Sequence, residues 1–172
     1  NYPVENMAAI MTAEYGDTDK IAEAIEECKR IGIVVLPPDV NYSYVGFTIE
    51  NLADLTQQNL ERAIGGTIKT GSTQGIRFGL SAIKNVGAAV IENIIAAREA
   101  RPFVSFGDFC SRVNLSTVNK KTMESLIKAG AMDQFGNRAS LLVSLPEIVS
   151  KANQLKKQSA EGQTSLFDDG SD

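Results

Sequence analysis

Nine residues, Ile83-Lys84-Asn85-Val86-Gly87-Ala88-Ala89-Val90-Ile91, lie between two stretches of apolar helical periodicity and constrain this chain more than any other segment. They read as a tight turn between two short helices, with Gly87 opening the second. The N–H groups of Val86, Gly87 and Ala88 are then free at the positive end of a helix. Such an end is an anion site, and a phosphate fits it. Gly87 has no Cβ, so a phosphate oxygen can approach its backbone.

The pattern returns about thirty residues later without a gap. Leu115-Ser116-Thr117-Val118-Asn119-Lys120-Lys121-Thr122-Met123 places Leu115 on Ile83, Val118 on Val86, Asn119 on Gly87 and Met123 on Ile91. The glycines are missing from this copy. Asn is the next most tolerant of a positive φ, and Asn119 is a good N-cap for the helix that follows. Two such hairpins can pack as a pseudo-twofold pair, one to each strand of a DNA duplex, gripping the backbone without reading bases. The segment looks like a tandem helix-hairpin-helix pair. The candidate DNA contacts are Lys84, Asn85, Val86, Gly87 and Ala88 in the first copy and Thr117, Asn119, Lys120 and Lys121 in the second. The bland reading is two helical hairpins that pack together and carry no ligand.

Charge supports the first reading. The 172-residue chain has a net charge of −4, which argues mildly against nucleic acid. Its distribution reverses that. Residues 1–68 carry −7, residues 69–138 carry +5 and residues 139–172 carry −2, so the positive block is the one that contains both hairpins. Charge asymmetry between segments points to a nucleic-acid face better than the total does, although solvated helix faces produce the same imbalance.

Several chemistries are excluded. The chain has no His, which removes Ser-His and Cys-His nucleophiles and His-ligated metals. Cys28 and Cys110 lack zinc spacing and read as small buried hydrophobes in a reducing, cytoplasmic compartment. Asp17 and Asp19 could share a metal but precede a clear apolar stripe, which favours helix capping. No catalytic constellation and no metal site emerge. No apolar run approaches the ~20 residues of a membrane span. The opening Asn1-Tyr2-Pro3-Val4-Glu5 lacks the basic start of a signal peptide.

Along the chain, Val4, Met7, Ala8 and Met11 predict the stripe of a helix whose beginning lies outside the chain. Ile21, Ala24, Ile25 and Cys28 predict a second helix, capped by Asp17 or Thr18 and ended by Gly32. Ile33 to Leu36 predicts a buried strand stopped by Pro37-Pro38, and Phe47 to Ile49 a second. From Asn51 to Gly75 the pattern dissolves. There Gly66-Thr67-Ile68-Lys69-Thr70-Gly71-Ser72 lacks the Lys and the frame of a phosphate loop, so it reads as linker. Ile76 to Phe78 resumes as strand. Helices follow over Ala88–Ala100 and Lys120–Ala129 and from Asn137. Phe103, Phe106 and Phe109 at helical spacing predict core rather than base-stacking platforms. After Pro146 the chain turns polar, and from Lys156 onward its composition predicts a mobile tail.

Six segments then occur in order: Tyr2-Pro3-Val4-Glu5, Leu36-Pro37-Pro38-Asp39-Val40-Asn41, Ile76-Arg77-Phe78-Gly79-Leu80, Ile83-Lys84-Asn85-Val86-Gly87, Val118-Asn119-Lys120-Lys121 and Leu126-Ile127-Lys128-Ala129-Gly130-Ala131. Together they resemble the bacterial DNA polymerase III alpha subunits, from the end of the fingers region through the tandem helix-hairpin-helix domain. The resemblance implies a mainly α chain with a few short strands. Its divisions are a small α/β piece of the fingers region at 1–50, an irregular connector at 51–75, the DNA-binding hairpins at 76–150 and a disordered tail at 151–172.

It further implies a non-catalytic fragment of a DNA-directed DNA polymerase, with the catalytic carboxylates in an upstream palm. No cofactor is expected in this stretch, although the parent would use magnesium. The implied partners are double-stranded DNA, the sliding clamp and other replicase subunits. Asn85 stands where many hairpins of this kind carry Gly. Gln163-Thr164-Ser165-Leu166-Phe167 resembles a clamp-binding peptide, in which Gln163 bonds at the rim while Leu166 and Phe167 fill an apolar pocket. Two rival readings remain: a repair or recombination factor using the same hairpins, and a protein-only interaction module.

Overall fold

The computed structural model describes residues 3–14, 16–56, 61 and 74–168, with side chains described as far as Gly162. The glycine-rich stretch from Gly65 to Ser72 lies outside the described residues. The chain is mainly α with one small sheet. Helix α1 spans Pro3–Ala13 and α2 spans Thr18–Ile31. Asp17 is the N-cap of α2, its carboxylate accepting from the Lys20 N–H at 3.1 Å, and Gly32 ends the helix in the left-handed region at φ 84°.

Strands β1 (Val34–Leu36), β2 (Thr48–Asn51) and β3 (Gln74–Arg77) form a sheet in the order β1-β3-β2. β3 pairs parallel with β1 and antiparallel with β2, so Val35, Ile76 and Ile49 lie in one row. Ile76, at the centre, is fully buried with Met7, Met11, Ile21, Cys28 and Phe47 under α1 and α2.

The second unit contains α3 (Ala88–Arg98), α4 (Phe106–Arg112), α5 (Lys120–Lys128) and α6 (Arg138–Asp168). Phe103, Phe106 and Phe109 are all buried in its core, and the rings of Phe103 and Phe109 meet edge to face at 4.8 Å. Their spacing had predicted this, and base stacking is thereby closed to them.

Two expectations are corrected. The first arm of the first hairpin is a single 3-10 turn, Leu80–Ala82, rather than a helix. Only five residues, Phe78 to Ala82, separate β3 from Ile83, and the last three of them form that turn, so no longer helix fits. Residues 151–168 continue α6 instead of forming a disordered tail. The stripe Leu141, Leu145, Ile148, Val149 and Ala152 packs α6 against α4 and α5, and the Lys156 ammonium donates to the Val113 carbonyl. Packing of this kind stabilises helices well beyond local propensity. Pro146 lies inside α6 on its exposed side, where the lost backbone bond, about 3 kcal/mol, is outweighed by the buried face.

The loop from Pro37 to Gly46 joins the two units. Val40 sits in the helical core, its N–H donating to the Ala131 carbonyl at 3.0 Å. Asn41 Nδ2 donates to the Phe103 carbonyl at 3.0 Å, and Asn41 Oδ1 accepts from the Phe103 N–H at 2.8 Å. Buried Ser43 donates to the Phe78 carbonyl at 2.8 Å. Gly79 passes so close beneath the loop that a Cβ there would lie 2.6 Å from the Gly46 carbonyl carbon. No side chain fits at that position.

Within this loop Asp39 Oδ1 accepts from the Asn41 N–H at 2.8 Å and from Gln134 Nε2 at 2.7 Å. Burial outweighs these bonds and the attraction of Arg77, and pushes the Asp39 carboxyl up to about 6. The folded chain therefore holds a proton that the unfolded chain releases nearer pH 4. The stability carried by neutral Asp39 is present below that pH and is lost as pH rises through about 6. Asp39→Asn mimics the protonated acid at every pH. Urea denaturation should show the variant gaining on the parent between pH 4 and 7, by up to about 3 kcal/mol. A difference independent of pH would refute the assignment.

Candidate nucleic-acid interface

Ile83 and Val86 pin the first hairpin into the core, leaving Lys84 and Asn85 exposed between them. Asn85 has φ 67°, and among the described residues no other non-glycine side chain sits at positive φ. Asn tolerates this conformation better than most residues. Its Nδ2 donates to Ser125 Oγ at 3.0 Å, and its carbonyl accepts from Thr122 Oγ1 at 3.2 Å. Both partners lie on α5, so Asn85 ties the first hairpin to the second repeat.

Gly87 is the N-cap of α3 with φ −91° and ψ 175°, a conformation open to any residue, and no side chain caps the helix. A Cβ at Gly87 would meet nothing within 4 Å. Neither backbone nor packing demands glycine here. The missing side chain leaves the N-terminus of α3 uncovered, with Gly87, Ala88 and Ala89 all exposed. Val86 departs from the expectation of a free N–H: it donates to the Ile83 carbonyl at 3.3 Å, closing the turn.

The second hairpin runs from α4 through residues 113–119 into α5. Asn119 is the N-cap of α5, as Gly87 is of α3, and the buried residues keep the same register. Val118 answers Val86, Met123 answers Ile91 and Leu126 answers Ile94, all buried. The local chemistry differs. Asn119 has φ −77°, so its tolerance of positive φ is unused. Its Oδ1 accepts from the Thr122 N–H at 2.9 Å and fills the anion position from within. Thr117 occupies the place of Asn85 but is half-buried, its N–H turned to the Asn114 carbonyl at 3.1 Å. Lys120 and Lys121 are exposed and are what this copy offers to an outside anion.

The positive block divides by residue type. Its arginines are engaged internally. Arg77, itself buried, grips Glu50 with two bonds of 2.7 Å. Arg98 donates to the Val40 and Ser43 carbonyls at 2.9 and 2.7 Å. Arg101 and Arg112 share Asp108, each at 3.1 Å, and Arg138 pairs with Asp133 at 2.9 Å. The lysines Lys84, Lys120, Lys121 and Lys128 are exposed and form no ion pair among the described residues. Lys84, Lys121 and Lys128 border one cleft of about 640 Å³ between the first hairpin and α5. Lys128 escaped the sequence reading; its one cue is its place two helical turns beyond Lys121, on the same face.

Residues 32–141 match the family described as the helix-hairpin-helix motif. The chain belongs to the helix-hairpin-helix family. It is also similar to proteins named DNA polymerase III subunit alpha. One from Thermus aquaticus is 41% identical over 168 residues, one from Mycobacterium tuberculosis 38% over 175, and one from Vibrio cholerae 36% over 169. These alignments cover 97%, 99% and 97% of this chain but only 12–13% of the relatives, so the chain spans about an eighth of their length.

In this helix-hairpin-helix pair no group of three or more Cys, Asp or Glu gathers to hold a metal among the described residues. No helix among the described residues is long and apolar enough to cross a membrane. The backbone of Gln163, Leu166 and Phe167 belongs to α6, and their side chains lie outside the described residues.

Asn85 gives a direct test of the hairpin junction. Asn85→Ala strains the left-handed backbone and removes the bond to Ser125, and should cost about 1–3 kcal/mol in urea denaturation. Asn85→Gly relieves the strain and should recover about 1 kcal/mol of that loss. Equal stability of the two variants would show that the positive φ carries no cost.

Proposed function

We propose that the hairpin pair holds duplex DNA by its backbone, as part of a replicative DNA polymerase. The observation that carries this reading is the uncapped N-terminus of α3 at Gly87, flanked by lysines that form no ion pair among the described residues. A phosphate there meets backbone N–H groups, the positive helix end and lysine ammonium groups together. Lys120 and Lys121, on the matching helix, are placed for a second stretch of backbone. The similarity to polymerase alpha subunits supports the setting: the first 50 residues as a piece of the fingers region, catalysis by the parent polymerase with magnesium elsewhere, other replicase subunits alongside, and action in the bacterial cytoplasm.

Lys84, Lys120 and Lys121 facing phosphate predict a log–log salt slope of about −3 for duplex binding, with no sequence preference. Each Lys→Ala change at Lys84, Lys120 or Lys121 should reduce the slope by about 1. Gly87→Val should fold with at most about 1 kcal/mol lost to a poorer N-cap, since a Cβ there meets nothing within 4 Å. It should weaken duplex binding about 2- to 10-fold, the scale of a helix-end anion contact. Salt-independent affinity, measured by fluorescence anisotropy, would end the DNA reading.

The same proposal gives α6 a second partner, the sliding clamp, through Gln163, Leu166 and Phe167. Here support comes from residue chemistry and the position after the hairpins. The last turns of α6 carry few apolar residues and unwind at low cost, so an extended peptide can be released from them. A peptide spanning Glu161 to Asp169 should bind a bacterial clamp in the micromolar range, on the order of −8 kcal/mol. Replacing Leu166 and Phe167 by Ala should abolish that binding and leave duplex binding unchanged. Calorimetry showing no heat with the intact peptide would remove the clamp from the proposal.

A further inference from the structure

The cleft between the first hairpin and α5 has more than a phosphate requires. Its volume of about 640 Å³ falls within the range of cavities that bury small organic ligands. Three lysines border it, Lys84, Lys121 and Lys128, and no carboxylate lines it. Between them the walls are apolar, built from Pro38, Phe78 and Ile83. The Phe78 ring is held edge to face against Phe47 at 4.8 Å, so its orientation is set from behind. A backbone phosphate in a regular duplex needs charge but neither the depth nor the aromatic wall. A group that is both anionic and flat matches the cleft on both counts. An unpaired nucleotide is such a group, with an apolar base face and a phosphate on either side.

We propose that the cleft takes the first unpaired nucleotide of a single strand leaving a duplex that lies on the hairpins. This rests on the duplex reading above, because Lys84 and Asn85 form both the hairpin tip and one side of the cleft. Lys128 borders the cleft two helical turns beyond Lys121 on α5, and the proposal assigns it the phosphate beyond the junction.

The test compares the 172-residue chain on three DNAs: a blunt duplex, the same duplex with an oligo-dT overhang, and oligo-dT alone. The overhang duplex should bind about 5- to 20-fold more tightly than the blunt one, the scale of one stacked base. A 2-aminopurine at the first unpaired position should change in fluorescence on binding. Ala82→Leu fills the cleft from its wall and should erase the overhang preference while keeping blunt-duplex affinity. Should that variant fail to fold by circular dichroism, Lys128→Ala supplies the test: overhang affinity should fall more than blunt affinity. Equal binding of blunt and overhang duplexes overturns the cleft inference and leaves the duplex reading standing. Binding to oligo-dT without binding to blunt duplex overturns the duplex reading and, with it, the junction assignment. Binding to none of the three overturns both, and an overhang preference that survives in folded Ala82→Leu overturns the cleft assignment.

Discussion

The side-chain amide of Asn41 bonds the Phe103 backbone in both directions, giving a hydrogen to its carbonyl and taking one from its N–H. Only an amide of this length can do both: a carboxylate cannot donate, and a hydroxyl is too short to span the pair. Gln134 extends the arrangement, accepting from Asn41 at 3.1 Å and donating to Asp39. These bonds are partly buried, so losing one partner strands the other. They hold the loop after β1 onto the helical unit, while Ser43 and Gly79 hold it onto the strand that leads into the hairpin. The hairpin tip is thus placed by a loop some forty residues upstream, and the same bonds tie it to the sheet.

Features written in short-range chemistry were legible in the sequence. Asp17 and Gly32 bound α2 because capping depends on a few neighbouring atoms. Val86 and Val118 mark equivalent turns because each must be buried for its hairpin to close. The tail was misread because polarity after Lys156 hides how firmly Leu145, Ala152 and Lys156 dock upstream. The 3-10 turn before Ile83 was misread because the short span from β3, a tertiary constraint, fixes its length. Asn41 stood in plain view within Pro37-Pro38-Asp39-Val40-Asn41. Its partner Phe103 lies 62 residues away, and nothing local announces such a bond.

The two hairpins share a core and differ at their tips. The first keeps its helix end open at Gly87; the second closes its own with Asn119. This explains how the repeat can be exact in buried register yet worn at the surface: burial holds Val, Ile and Met in place, whereas a helix end can be satisfied by an outside anion or by its own cap. The copies are therefore unequal in what they leave for a ligand, one a backbone cradle with lysine beside it, the other lysine alone.

The sorting of cations has a mechanical side. Arginine forks clasp oxygen pairs in fixed geometry, and here they clasp the protein itself, bracing Glu50, Asp108 and Asp133. The outward cations are lysines, compact charges on flexible stems that favour no single orientation. If the hairpins hold duplex backbone as proposed, a strand resting on such a surface would pass from one phosphate to the next without a rigid clasp to undo, so the grip would resist lift-off more than travel along the helix axis. Under that proposal, low friction in one direction and firm hold in another would follow from which cation faces inward.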